Sequence, residues 1–285
     1  MVSYILYRIG QLLVFSLPLR WAYKLAVFIC DVRYLVADKD RKYVRDNLLA
    51  IFPQKTKREI HKIRIQMFRN FAKYLVDFFR FEKIDREFIN KYVRLENLHY
   101  LDQTLKKNMG VVVLTAHLGN CELGGVVIAL LGYPFWVVAL SHKDKRVDNF
   151  FISQRESKGL KVIPLGRAVR ASISLLREGK ILGLVGDRDF TEKGRVLEFF
   201  SRPTIFPEGP AALSLKTGAP IIPGFMLRNS DDTFTLKIEG PIEFNPSSNK
   251  EKDIEELMLR YKTIFEDYIR RYPEQWFMFR RFWRE

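Results

Sequence analysis

Between about residue 109 and residue 240 the chain alternates short apolar, β-branched runs with helix-length amphipathic stretches. Few architectures other than a covered parallel sheet can accommodate such a pattern. Residues 111–114 read Val-Val-Val-Leu, and comparable runs follow at 135–140, 161–164, 181–185, 220–227 and 233–238. Helices are predicted between them. One over 120–131 is capped by Asn120 and stopped by Gly132 and Pro134, one over 147–158 ends at Gly159, and one over 168–178 ends at Gly179. The expected fold class is therefore α/β, with a mainly parallel central sheet flanked by helices. Such sheets bind ligands at the carboxyl ends of their strands. His117 falls just after one predicted strand and Asp187 just after another, which puts both in one crevice.

Three further helices frame this region. Residues 40–52 place Val44, Leu48 and Ile51 on one face and end at Pro53. Residues 55–81 carry Ile60, Ile63, Met67, Phe71, Leu75 and Phe78 at helical spacing, opposite Lys57, Arg58, Lys62, Arg69, Lys73 and Arg80. That basic side reads either as a solvated face or as a surface lying on anionic lipid. Residues 251–271 form a last amphipathic helix before Pro273.

With 47% hydrophobic residues the chain is not disordered, and 285 residues without a Pro/Gly/Ser-rich linker favour one large domain over residues 37–285. The net charge of +15 is concentrated at the front: residues 1–100 hold 20 Lys and Arg against 10 Asp and Glu, or +10 of the total. No nucleic-acid motif accompanies it, and the interleaving with apolar stretches suits a membrane surface. Residues 1–36 are expected to be the membrane-associated helical segment. The uncharged run between Arg8 and Arg20 covers only residues 9–19, whereas a spanning helix needs about 20 apolar residues. An interfacial anchor is thus the first reading, with a single spanning helix or a buried helical pair as alternatives. A secretory signal is not expected, because there is no small-residue cleavage site. Cys30 and Cys121 give neither a disulfide framework nor a metal-ligand spacing, so no metal is expected and a reducing, cytoplasmic setting is.

The chemistry centres on His117-Leu-Gly-Asn-Cys-Glu122. On one continuous helix a five-residue spacing separates two side chains by about 140°. With His117 in a strand-to-helix turn made tight by Gly119, and Glu122 in the first helical turn, the two can face each other. A carboxylate on one imidazole nitrogen fixes the tautomer and leaves the other nitrogen as a general base. There is no Gly-x-Ser-x-Gly elbow, and Glu122 beside Cys121 would raise the thiol pKa rather than lower it. Direct attack by a substrate hydroxyl, without an acyl-enzyme, is the expected route.

The stretch Thr115-Ala-His117-Leu-Gly-Asn-Cys-Glu122-Leu-Gly-Gly resembles the bacterial lipid A late acyltransferases and the related phosphatidylinositol mannoside acyltransferases. The resemblance continues through Arg155 with Gly159, Gly186-Asp187-Arg188-Asp189, Glu198-Phe-Phe, Gly209-Pro-Ala-Ala-Leu, Thr217-Gly-Ala-Pro-Ile-Ile-Pro223 and the tail Arg271-Tyr-Pro-Glu-Gln-Trp-Phe-Met-Phe-Arg-Arg281. It implies a fold like that of the glycerol-phosphate acyltransferases. It also implies that His117 is the base with Glu122 as its partner, and that Arg155, Asp187, Arg188 and Glu198 support catalysis or bind substrate. Arg155 could stabilise an oxyanion or clamp a donor phosphate. The implied reaction moves a fatty acyl chain from an acyl carrier protein or coenzyme A thioester to a hydroxyl of a membrane glycolipid, without a cofactor. The implied partners are the bilayer, the glycolipid and, as one of the two donor carriers, the acidic acyl carrier protein; the implied site is the cytoplasmic face of the bacterial inner membrane. Phe206-Pro-Glu-Gly209 is similar to a block of the glycerol-phosphate acyltransferases, although Thr-Arg-Ser does not follow it. A glycerophospholipid acyltransferase is therefore the alternative, Glu208 being otherwise a first-turn helix residue. A non-enzymatic, basic membrane-binding protein is the third reading.

Overall fold

A computed structural model describes residues 2–189 and 194–283. Its centre is a seven-stranded sheet in the order β1-β9-β8-β2-β5-β3-β4. The strands are β1 (Val93–Glu96), β2 (Val111–Thr115), β3 (Phe135–Ala139), β4 (Lys161–Pro164), β5 (Ile181–Val185), β8 (Ile221–Arg228) and β9 (Phe234–Ile238). The five from β8 to β4 run parallel; β9 is antiparallel to β8, and β1 is parallel to β9. The mainly parallel sheet expected from strand–helix alternation is present.

Alternate residues of each central strand enter two separate apolar clusters. On β2, Val112 and Leu114 belong to one and Val111 and Val113 to the other; on β8, Ile221 and Phe225 oppose Ile222 and Met226. Burial on both faces is what makes these strands continuous apolar runs rather than alternating ones. The first cluster is covered by α3 (Asp38–Ile51), α9 (Ala168–Arg177), α10 (Gly209–Thr217) and α11 (Lys250–Arg271). The second is covered by α5 (Arg86–Tyr92), α6 (His99–Leu105), α7 (Cys121–Leu130) and α8 (Lys145–Glu156). Helix α4 (Lys57–Phe79) gives Met67 and Phe68 to the first cluster and Phe78 to the second, so it crosses from one face of the sheet to the other. A reciprocal capping box between Thr56 and Glu59 starts it.

The amino-terminal segment forms two helices, α1 (Val2–Ser16) and α2 (Leu19–Val36), broken at Pro18. Val14, Ala22 and Tyr23 pack on Val76 of α4. The polar side of α4 is divided: its first half keeps the solvated basic face and its second half is engaged by the rest of the fold. Arg69 grips Asp31 of α2 through two bonds of 2.9 Å, Arg80 donates to the carbonyls of Val14 and Leu17 near the end of α1, and Lys73 pairs with Asp232 at 2.7 Å. The later half of that face therefore holds α1, α2 and the turn between β8 and β9, while Lys57, Arg58 and Lys62 stay exposed. Among the described residues no helix is long and apolar enough to cross a membrane.

Some elements are not evident from the apolar pattern. Strand β1 lies at the sheet edge and has the mixed sequence Val-Arg-Leu-Glu. A separate antiparallel hairpin of β6 (Arg195–Phe199) and β7 (Arg202–Phe206) turns at Phe200 and Ser201, both in the left-handed region with φ of 51° and 58°. That conformation favours Gly or Asn, so the usual hairpin signal is missing.

Candidate active site

Strands β2 and β5 are adjacent and parallel, with a constant register of Val111 to Ile181 through Thr115 to Val185. Gly186 N–H donates to the Thr115 carbonyl at 2.8 Å, carrying the register past the strand ends. His117 and Asp187 each lie two residues beyond, and the same offset brings them together. His117 Nδ1 is 2.6 Å from Asp187 Oδ1, and the His117 backbone N–H donates to Asp187 Oδ2 at 3.1 Å. The Trp276 indole N–H donates to Oδ2 at 3.0 Å. Asp187 and Trp276 are fully buried, while the His117 side chain is about one quarter exposed. Burial alone would push the Asp187 carboxyl up, but His117, Trp276 and Arg188 hold it below the ordinary carboxylate range.

The expected His117–Glu122 pairing is corrected by this geometry. Glu122 does sit in the first turn of α7, capped by Asn120, whose Oδ1 accepts from Leu123 N–H at 3.1 Å. Its two carboxylate oxygens, however, are taken by Arg155, from Nε at 2.8 Å and Nη2 at 2.6 Å. Arg155 is in the last turn of α8 and lies over the rings of Phe78 and Phe151. Burial works against its charge, and Glu122 more than offsets that, keeping the guanidinium protonated. The bidentate edge of Arg155 is thereby committed, which favours tying α8 to α7 over clamping a phosphate.

Cys121 stands beside both carboxylates. Burial first, then Glu122 and Asp187, push its thiol up to about 12, which suits no nucleophile. Arg188 is part-buried next to Asp187 and is influenced by Arg280. Glu198 is not brought to the pair: it lies on the exposed side of β6, opposite buried Leu197 and Phe199. Glu208 precedes α10 and accepts from Arg195 Nε at 3.0 Å, in a cluster with Glu251 and Glu255 of α11. Among the described residues no group of three or more His, Cys, Asp or Glu is placed to hold a metal ion. A cavity of about 730 Å³ between the end of α10 and the start of α11 is lined by none of the site residues.

The turn itself is braced from outside. Gly119 has φ +65°, and a Cβ there would meet the Met226 carbonyl oxygen at 2.1 Å, so the position admits only glycine. Its N–H donates to the Gln275 carbonyl, Phe277 N–H donates to the His117 carbonyl, and Leu118 bridges Trp276. The tail segment around Trp276 thus builds one wall of the site. Trp276 was visible in the sequence only as part of the matching tail block, with no role attached.

Comparison with known proteins gives the family. The model of the bacterial lipid A biosynthesis acyltransferase family matches residues 1–285. The chain belongs to that family. It is an acyltransferase of the lipid A and phosphatidylinositol mannoside type. A phosphatidylinositol mannoside acyltransferase of Mycobacterium tuberculosis is 27% identical over 223 residues, covering 76% of this chain and 70% of its own. The lipid A biosynthesis palmitoleoyltransferase of Escherichia coli strain K12 is 26% identical over 236 residues, covering 81% and 74%. A lipid A biosynthesis acyltransferase of Haemophilus influenzae is 21% identical over 241 residues, covering 84% and 74%.

The two acidic residues are expected to fail differently when changed. Asp187→Asn should lower kcat by a factor on the order of 10⁴, because an amide no longer enforces the Nδ1–H tautomer of His117. Glu122→Ala should strand the Arg155 charge and cost about 3–5 kcal/mol of stability. Steady-state kinetics and urea unfolding of both variants check this; equal effects of both on rate and stability would contradict it.

Proposed function

We propose that the protein transfers a fatty acyl chain from an acyl thioester to a hydroxyl of a membrane glycolipid, with His117 as the general base. The observation that carries this reading is the His117–Asp187 pair at the carboxyl ends of β2 and β5. Asp187 on Nδ1 directs the opposite nitrogen, Nε2, to the substrate hydroxyl. Nε2 takes the hydroxyl proton as the oxygen attacks the thioester carbonyl. The tetrahedral intermediate collapses, and the thiolate leaves with the proton returned from the imidazolium. Asp187 stabilises that imidazolium and holds the ring orientation. Glu122 and Arg155 keep α7 and α8 in register around the turn.

A glycolipid acceptor is supported by the relatives' names, phosphatidylinositol mannoside and lipid A, both sugar-bearing lipids. The Phe-Pro-Glu-Gly block gives a glycerophospholipid acceptor less support, because Thr-Arg-Ser does not follow it; Glu208 itself pairs with Arg195 at the start of α10. The donor carrier is acyl carrier protein or coenzyme A; the basic exposed residues of α3 and α4 suit the acidic protein.

The bilayer is the proposed partner of α1 and α2, at the cytoplasmic face of the inner membrane. Eleven large apolar side chains between Ile5 and Val36 are exposed, among them Phe28 at 66% and Leu35 at 70%. Scattered exposed apolar residues are ordinary, but a run of this length on one helical pair marks a contact surface. Arg8, Arg20, Lys24 and Arg33 are exposed beside it and suit anionic lipid. The helices would lie in the interface rather than span it.

His117→Ala should lower transfer by about 10²–10⁴ at unchanged fold, in an assay offering an under-acylated glycolipid beside lysophosphatidate. Full activity of that variant would overturn the base assignment, and preference for lysophosphatidate would overturn the acceptor. Replacing Phe28 and Leu35 together by Glu should weaken binding to vesicles containing anionic phospholipid by tenfold or more, at about 1 kcal/mol or more for each buried side chain lost. Unchanged co-sedimentation would contradict the membrane role of α2.

A further inference from the structure

Behind the His117 turn lies a buried polar network that no step of the reaction consumes. Asp77, on α4, is 3% exposed. It accepts from Asn120 Nδ2 at 2.8 Å, from the Arg228 guanidinium and from the Tyr23 hydroxyl. Arg228 also reaches Asp232 at 3.2 Å, and its backbone N–H and carbonyl are both bonded to the Gln275 side chain at 2.9 Å. Gln275 precedes Trp276, the donor to Asp187.

Asn120 carries this network to the turn. Its backbone N–H donates to the Met226 carbonyl at 2.7 Å, and its Oδ1 caps α7 through Leu123 N–H. An asparagine amide fits such a site in two orientations. Asp77 is an acceptor, so it selects the orientation with Nδ2 towards itself and Oδ1 towards the helix. A buried carboxylate–guanidinium pair contributes little net stability compared with apolar residues of the same volume. A fully satisfied buried network does specify one geometry. Here the geometry specified is that of the segment running from His117 to Glu122. Tyr23 brings α2, with its exposed apolar side, onto the same carboxylate.

We infer that Asp77 is a positioning residue for acyl transfer: acting through Asn120, it fixes the turn that presents His117, and it is itself oriented by Arg228 and by Tyr23 of α2. The inference rests on the reading of His117 as the base.

Asn120→Asp keeps an oxygen for the helix cap but removes the donor to Asp77 and sets two carboxylates against each other. The exchange Asp77→Asn with Asn120→Asp restores one donor, one acceptor and a single negative charge near Arg228. Tyr23→Phe is a milder change that removes one donor and keeps the buried ring. The full chain is assayed as wild type, His117→Ala and these three variants, with a thermal unfolding curve for each. Asn120→Asp is expected to lower kcat by about 10–100-fold through misplacement of the base, with KM within about twofold. The exchange is expected to recover most of that loss. Tyr23→Phe is expected to lower kcat severalfold with only a modest fall in the unfolding midpoint, the chain staying fully folded at the assay temperature; if Asn120→Asp does not fold, Tyr23→Phe and the exchange decide. Wild-type kcat in Tyr23→Phe, or an exchange that regains the unfolding midpoint but not kcat, would overturn the inference. An inactive His117→Ala beside a fully active Asn120→Asp refutes the role of Asp77 alone. A His117→Ala as active as wild type refutes the base assignment beneath it.

Discussion

A carboxylate with no exposure to water must be surrounded by donors, and Asp187 organises the site by meeting that requirement. Its three donors come from distant parts of the chain: the His117 ring and backbone after β2, and the Trp276 indole after α11. Bringing them together requires that β2 and β5 be neighbours in one fixed register, and that the tail return across the sheet end to bridge Leu118. The acyl-transfer chemistry proposed here depends on this one buried group. So does the reason the carboxyl-terminal segment belongs to the site.

The second ion pair has a different character. Glu122 and Arg155 neutralise each other in a two-point grip between the start of α7 and the end of α8. Held in this way, Glu122 faces Arg155, and losing it would loosen the contact between α7 and α8. In the proposed mechanism the two acidic residues near His117 divide the work: Asp187 sets the tautomer, and Glu122 holds the frame. Tyr7 of α1 stacks on Phe150 and meets Phe151 edge-on, so the exposed apolar helices also touch the helix carrying Arg155. Through Tyr23 and Tyr7, the proposed membrane-facing pair leans on both supports of the site.

The sheet was legible because its central strands, such as β2 and β8, are buried on both faces and must read as unbroken apolar runs. The helices α7, α8, α9 and α11 were legible from their caps and stops. Edge strand β1 and the hairpin turning at Phe200-Ser201 were not, since neither offers an apolar run or a glycine signal. At the site, His117 and the crevice it shares with Asp187 followed from the rule about strand ends. The partner was misassigned because sequence proximity favours Glu122, five residues away, over Asp187, seventy residues away. Only the register of β2 against β5 reveals that seventy residues is the shorter distance in space. Trp276 and Asp77 had no local signal at all; each acts through a contact that forms only when the fold is complete.

The central claim is that Asp187, and not Glu122, governs the protonation pattern of His117. Nitrogen-15 NMR of the imidazole, in the wild-type protein and in Asp187→Asn and Glu122→Gln variants, tests it directly. The neutral ring should carry its proton on Nδ1 in the wild type and in Glu122→Gln, and lose that preference in Asp187→Asn. A proton on Nε2 in the wild type, or a preference lost in Glu122→Gln and kept in Asp187→Asn, would contradict the account.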